Sequence, residues 1–299
     1  MLLDAPSLYF RAFYGIPDSI RSPQDEPVNA IRGMLDMTAQ LLRTHRPDRL
    51  VACFDNDWRP AFRVNALPSY KAHRVAHDDV EEVPDLLTPQ VPVIEQFLDA
   101  FGLCRLGVDG YEADDVIGSI AADAGGAVDI VTGDRDLFQL VDDTRPLAVL
   151  YTAKGIANIE RVDEAVVTAK YAIPGRSYAD FAILRGDPSD GLPGVPGIGA
   201  KTAAGLLATY GTVQDMLTAI DEKTSTMAPR IRGLLNASRD YIAAAEIVAR
   251  VAENAPLPVY DPALPVTPHD PETLVQLAER WGVENSCARL TIALTALAG

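Results

Sequence analysis

Histidine and cysteine are scarce in this 299-residue sequence, which holds four of the first and three of the second. Cys53, Cys104 and Cys287 stand far apart, an odd and scattered set that excludes a disulfide framework. No cysteine lies near a histidine at ligand spacing, which excludes a structural zinc. Also missing is any uncharged apolar run long enough to span a bilayer. The start, Met1-Leu2-Leu3-Asp4, lacks the basic residues and apolar stretch of a secretory signal. These absences predict a cytoplasmic protein without membrane contact. Basic residues are in short supply too, 26 Lys and Arg against 42 Asp and Glu, for a formal net charge of −16. Such a balance argues against nucleic acid as a partner. It is a sum over the whole surface, however. A site that gathers carboxylates around cations lowers the sum without repelling an anionic substrate once those cations are bound.

What is present reads as an ordered globular chain, 48% hydrophobic. Short apolar runs at 50–54 (LVACF), 103–106 (LCRL) and 127–131 (AVDIV) have the character of buried strands, with 1–3 as a further strand that begins without a lead-in. Helical stretches at 28–42, 91–101 and 113–122 fall between them. The alternation predicts an α/β fold, a mostly parallel sheet with helices on both faces. Residues 63–85 break the rhythm with an irregular, partly acidic excursion, of the kind that is functional or disordered. Beyond Tyr171 the pattern turns helical, with 186–202 as its main loop, a Pro-rich wrap-around linker at 255–268 and closing helices over 271–297.

In a parallel open sheet, functional groups collect beyond the carboxyl ends of the strands. Asp4 and Asp55 follow the first two strands. After the third come Glu112, Asp114 and Asp115, after the fourth Asp134 and Asp136, and farther on Asp187 and Asp190 flank Pro188-Ser189. Taken singly, each has a plainer explanation: an aspartate at a helix start caps it, and one closing a strand forms a turn. Taken together, so many carboxylates on one edge repel one another unless cations neutralise them. Oxygen-only ligands select Mg²⁺ or Mn²⁺. Two such ions about 4 Å apart form a site that cleaves phosphodiesters by in-line displacement.

Two further signals point to a phosphate backbone. Gly194-Val195-Pro196-Gly197-Ile198-Gly199-Ala200-Lys201-Thr202 is a glycine-rich turn opening a helix, which presents backbone N–H groups and Lys201 to a phosphate. It is not a Walker loop, since Ala200 separates Gly199 from Lys201. Its plainer alternative is a turn between packed helices. Lys71 and Arg74, near Arg59, Arg63 and Tyr70, set basic side chains around a stackable aromatic, as a single strand requires. The alternative there is a solvated surface loop.

LLDAPSLYFRAFYG, YKAHR, GYEADDVIG, VTGDRDLFQLV and LRGDPSDGLPGVPGIGAKTA resemble, in order and over roughly residues 1–290, the motifs of the bacterial flap-endonuclease (5′–3′ exonuclease) family. That family includes the N-terminal nuclease domain of DNA polymerase I. The resemblance implies a PIN-like core over 1–175, with a helical arch or clamp at about 63–90. It implies a helix–hairpin–helix module with closing helices over 176–299. By position Asp4, Asp55, Glu112, Asp114, Asp115, Asp134, Asp136, Asp187 and Asp190 match the metal-binding acids, holding two or more Mg²⁺ or Mn²⁺ ions. Lys71 and Arg74 match the arch residues that steer the scissile phosphate. Arg11, Arg59, Arg63, Tyr70 and the hairpin residues Gly194, Gly197, Gly199, Lys201 and Thr202 are the expected DNA contacts, with K⁺ at the hairpin. The implied activity is a monomeric, structure-specific 5′ nuclease of replication and repair, acting on flaps, nicks, gaps and single-stranded 5′ ends at the nucleoid.

His73 replaces the family's usual asparagine, and Gly191-Leu192 replace its Asn-Ile, which predicts a looser turn at Asp190. The start of the native chain upstream of Met1, and a stand-alone enzyme against an excised domain, both remain open. So do three rivals. A haloacid-dehalogenase-type phosphatase needs Asp-x-Asp after its first strand, where this chain reads Asp4-Ala5-Pro6. A Toprim-type nuclease leaves Asp187, Asp190 and the hairpin unexplained. A DNA-binding protein with a decayed site is opposed by the intact acids.

Overall fold

In the computed structural model residues 1–77 and 80–297 are described, with the backbone alone for 76, 77 and 80. Eight strands occur among them: β1 Leu2–Asp4, β2 Val51–Cys53, β3 Val75–His77, β4 Val80–Glu81, β5 Cys104–Leu106, β6 Val128–Thr132, β7 Leu147–Tyr151 and β8 Glu160–Val162. Six form one sheet in the order β5-β2-β1-β6-β7-β8, parallel throughout except for antiparallel β8 at one edge. The earliest strand therefore lies near the middle, and every parallel pair is joined by a crossover. Strands β7 and β8 extend the sheet beyond the four read from the sequence.

Strand side chains alternate between the faces, and the alternation divides the core. Leu2, Val51, Cys53, Leu106, Ile130 and Val149 point to one apolar cluster, and Leu3, Ala52, Val131 and Leu150 to the other. The first cluster is completed by helix Ala113–Asp123 and by a helical module running from Tyr178–Arg185 to Arg239–Ala249. The second is covered by helices Ala5–Gly15, Asn29–His45 and Val91–Phe101, and then by Pro271–Trp281 and Glu284–Thr295. The closing helices, grouped by the sequence with the second module, thus bury Leu274, Cys287, Leu290 and Leu294 on the opposite face of the sheet. The Pro-rich linker carries the chain around: Ala255 N–H donates to Ser119 Oγ at 2.9 Å, Leu50 N–H to the Pro262 carbonyl at 2.9 Å, and Asp270 N–H to the Ala100 carbonyl at 2.9 Å.

The excursion differs from a helical arch. Its described residues form a six-residue helix, Ala61–Ala66, a 3₁₀ turn, Ala72–Arg74, and the two-stranded antiparallel hairpin β3–β4. Asp78 and Asp79, from the acidic stretch, lie outside the described residues. Pro68 and Pro84 confine the segment, and Lys71 in a left-handed conformation (φ 46°) separates helix Ala61–Ala66 from the 3₁₀ turn Ala72–Arg74.

Helices Ala5–Gly15 and Asn29–His45 cross at Gly33, where a β-carbon would stand 2.5 Å from Ala12 Cβ and 2.8 Å from Ile16 Cδ1. Gly33→Leu should therefore force the helix that begins at Asp4 off the sheet and cost about 1–3 kcal/mol or more. A urea midpoint equal to that of the parent chain would refute this close approach.

Candidate active site

Each acid at the sheet edge also ties down its own strand end. Asp4 closes β1 and caps the following helix, accepting from Ser7 N–H at 3.0 Å and from Thr132 Oγ1 at 2.5 Å. Asp55 follows β2 and accepts from Ala113 N–H at 2.7 Å, which ties it to the start of helix Ala113–Asp123. Thr132 closes β6, its hydroxyl accepting from Asp134 N–H at 2.8 Å, and Asp134 Oδ1 accepts from Asp136 N–H at 2.9 Å. Asp187 and Asp190 sit on a turn closed by paired bonds between Asp187 and Leu192. A cleft of about 430 Å³ lies along this edge, and Asp4, Asp55, Glu112, Asp114, Asp134 and Lys71 contribute to its wall.

The electrostatics follow from the crowding. Burial first, opposed by the bonds from Thr132 and Ser7, pushes the Asp4 carboxyl up to about 6, and Asp134 adds repulsion. Asp55 is pushed up to about 7 by burial and then by the charge of Glu112. Asp114 and Asp136 are raised well above the carboxylate range by burial and then by neighbouring acids, and Asp190 is raised by burial. By these mutual influences the acids form two groups, linked through Asp134 and through the action of Glu112 on Asp190. Asp4, Asp55, Glu112 and Asp114 make one, and Asp136, Asp187 and Asp190 the other. The side chains have not closed on a common point: among the described residues no three His, Cys, Asp or Glu side chains are gathered tightly enough to hold an ion as they stand.

Protein cations account for part of this. Arg63, 2% exposed, donates through Nη1 to Glu112 Oε2 and to Asp115 Oδ2 at 2.8 Å, and through Nη2 to Asp115 Oδ1 at 2.6 Å. Its remaining donors reach the carbonyls of Val248 and Arg250, both at 3.2 Å. Tyr70, also 2% exposed, donates its hydroxyl to Glu112 Oε2 at 2.7 Å, and Lys71 Nζ pairs with Glu112 Oε1. Burial works against the Lys71 ammonium, but Glu112, Tyr70 and Asp190 outweigh it and hold it charged well above the usual range.

This geometry corrects several expectations. Arg63 and Tyr70 are internal struts rather than DNA contacts. Asp115 is not exposed at all. Arg63 and the backbone amides of Glu112 and Ala252 occupy its oxygens, so in this arrangement it braces the site. Arg59 braces the same excursion, donating to the carbonyls of Tyr70 at 2.7 Å and Pro68 at 3.0 Å. Gly194 is buried, and a β-carbon there would stand 2.6 Å from Gly186 N, so it serves packing within the second module. The turn at Asp190 is not loosened by Gly191, which has φ 74° and lies against the Ser69 carbonyl, where any side chain would collide. Arg11 stays at the site, half-buried, its Nη2 within 3.1 Å of where a Gly133 β-carbon would lie. Gly197, Gly199 and Lys201 are exposed and Thr202 half-exposed, with Gly199 capping helix Ala200–Tyr210. No side chain caps that helix, which leaves its first amides to a ligand or water. Sequence reading missed Ser7 and Thr132, whose positions one turn beyond Asp4 and just before Gly133-Asp134 were the available signal.

An α/β sheet edge lined by acids defines a metal-type hydrolase site, and the comparisons narrow the class. Residues 1–172 match the 5′-3′ exonuclease, N-terminal resolvase-like domain, and residues 173–272 match the 5′-3′ exonuclease, C-terminal SAM fold. The chain is 56% identical to a 5′-3′ exonuclease of Streptomyces coelicolor (99% of this chain, 100% of the relative). It is 49% identical to one of Mycobacterium tuberculosis (100% and 98%). A DNA polymerase I of Bacillus caldotenax is 32% identical over 95% of this chain and 31% of its own length. Among solved structures, a flap endonuclease of bacteriophage T5 in a pseudo-enzyme-product complex with DNA and metal ions superposes with TM-score 0.66 (16% identity, 100% and 98% covered). The catalytic core of Rad2 with DNA superposes with TM-score 0.57 (14% identity, 98% and 91% covered). The chain belongs to the 5′-3′ exonuclease family and is a nuclease.

Removing one partner of the Arg63 network leaves a buried charge without compensation, so Arg63→Ala or Asp115→Ala should cost about 3–5 kcal/mol by urea denaturation. Asp134→Ala, which relieves repulsion, should leave the metal-free protein as stable or more so. Equal losses in all three would refute the division into struts and free acids. The raised carboxyls also fix a pH dependence. Folded Asp4 and Asp55 bind protons more tightly than in the unfolded chain, so stability must fall as pH rises between about 4 and about 7. In chelator the melting temperature should therefore decline from pH 5 to pH 8, and a rise over that range would contradict the assignment.

Proposed function

We propose that the protein is a structure-specific 5′ nuclease, hydrolysing DNA phosphodiesters at 5′ flaps and at single-stranded, nicked or gapped 5′ ends during replication and repair. The observation that carries this reading is the acid-lined cleft with Lys71 and Arg74 on its wall. The donors available there are carboxylate oxygens, which suit Mg²⁺ or Mn²⁺. Burial and mutual repulsion raise the carboxyls of Asp4, Asp55, Asp114 and Asp136, so a cation binding among them relieves the repulsion and displaces protons. The group Asp4, Asp55, Glu112 and Asp114 would hold one ion and Asp136, Asp187 and Asp190 a second, with Asp134 between them. Bound there, such ions supply Lewis acidity and charge neutralisation to phosphodiester hydrolysis.

The chain's own residues do the rest. Lys71 and Arg74 orient the phosphate and stabilise charge that develops on it. Arg11, beside Gly133, can take an adjacent phosphate. Gly197, Gly199, Lys201 and Thr202 offer amides and a cation to the duplex at the helix N-terminus, with K⁺ on the carbonyls of that turn. The protein acts as a monomer in the cytoplasm, at the nucleoid when bound to DNA.

Incubating a labelled 5′-flap duplex with and without Mg²⁺ or Mn²⁺ tests the reading, and intact flap in both lanes would sink it. Lys71→Ala should lower the single-turnover rate about a hundredfold with little change in affinity. A loss confined to affinity would make Lys71 a tether. Gly199 has an ordinary φ of −93° and open space around its β-position, so Gly199→Val should fold normally. It should nonetheless weaken duplex binding by keeping the phosphate off the amides. Lys201→Ala should reduce the salt slope of log affinity by about one unit. Unchanged duplex binding in both variants would remove the hairpin from its role.

A further inference from the structure

The Ser69–Arg74 segment and the Asp187–Gly191 turn, more than a hundred residues apart, meet along a run of main-chain acceptors. Ser69 Oγ donates to the Gly191 carbonyl at 2.9 Å, Lys71 N–H to the Asp190 carbonyl at 3.2 Å, and Arg74 Nη2 to the Ser189 carbonyl at 3.0 Å. The approach is possible only because residue 191 is glycine. Its φ of 74° suits no β-branched residue, and a β-carbon would collide with the Ser69 carbonyl oxygen and stand 3.0 Å from its carbon. Between these contacts Lys71 adopts the left-handed conformation (φ 46°, ψ 20°), an unfavourable one for a lysine, which carries its Nζ toward Glu112. The turn accepts these hydrogen bonds through its carbonyls, while Lys71 and Arg74 act on the Asp190 carboxyl through their charge.

We propose that this contact is a latch, with Ser69 and Gly191 as positioning residues that hold Lys71 in its left-handed conformation at a fixed place relative to the Asp187 and Asp190 carboxylates. The clamp cation and one half of the acid set then move as one body. The proposal rests on the reading of Lys71 as the residue that acts on the scissile phosphate, and the test separates the two.

Single-turnover cleavage of the flap duplex would be measured for Gly191→Ala, Ser69→Ala and Ser69→Thr, each also combined with Lys71→Ala. Gly191→Ala should slow cleavage about tenfold or more with flap affinity unchanged. Ser69→Ala should slow it severalfold, and Ser69→Thr, which keeps the hydroxyl, should restore the rate. With Lys71 already alanine, Gly191→Ala and Ser69→Ala should cost less than twofold further, because they act through the lysine. Hydrogen exchange should show the Lys71 amide losing protection in Gly191→Ala and in Ser69→Ala, whether or not the enzyme turns over. Full-speed Gly191→Ala and Ser69→Ala enzymes beside a slow Lys71→Ala enzyme would overturn the latch alone. So would losses fully additive with Lys71→Ala. A full-speed Lys71→Ala enzyme would overturn the role of the lysine and the latch with it.

Discussion

The guanidinium of Arg63 is buried where three parts of the chain meet: the helix at the base of the excursion, the start of helix Ala113–Asp123, and the end of helix Arg239–Ala249. A planar group with five donors can satisfy two carboxylates and two carbonyls at once, which an ammonium could not do. This charged group lies between the buried carboxyl groups of Glu112 and Asp115 and bonds to both. Lys71 and Tyr70 complete the shell of Glu112, so the position of one acid at the catalytic edge is set from the excursion, the core and the second module together. Arg250 extends the connection by pairing with buried Asp180, whose Oδ1 also accepts from Val213 N–H at 3.2 Å.

Beyond the Arg63 network, Asp187 pairs with Arg185 at 3.1 Å, while Asp4, Asp55 and Asp134 are held by hydrogen bonds rather than by an ion pair. Asp4, Asp55 and Asp134 each accept from a backbone amide at a strand or helix end, which fixes the carboxyl without neutralising it. The same strand ends are where an α/β sheet opens, and a folded chain that keeps them charged stores repulsion there. A net charge of −16 is in part the sum of this arrangement. The site is built to be completed by something positive, and that requirement explains why an acidic protein can take a polyanion as substrate.

Much of this was legible in the sequence, for identifiable reasons. Buried parallel strands are short apolar runs, and the aspartates after 1–3, 50–54 and 127–131 stand where such strands end, so the acid edge followed from pattern alone. The run LAVLY at 147–151 carries the same signal and was passed over, because no acid follows it and no motif marks it. Arg63 and Tyr70 were misplaced because a basic residue beside an aromatic reads alike on a nucleic-acid surface and in a buried ion pair. What separates them is a partner from residue 112 or 115, and nothing local in the sequence announces that pairing. Gly191 was read as slack for the same reason: the neighbour that makes it necessary, Ser69, lies 122 residues away.

The path of the chain through the sheet has a consequence for biosynthesis. Strand β1 is made first yet lies between β2 and β6, and the face it shares with Leu3, Ala52 and Val131 is sealed by helices that end near residue 295. A chain emerging from the ribosome therefore carries Asp4 and Asp55 long before the layer beneath them is closed. The rim that forms the cleft thus belongs to a sheet whose second face is covered in part by residues 271–295, far along the chain from the acids it supports.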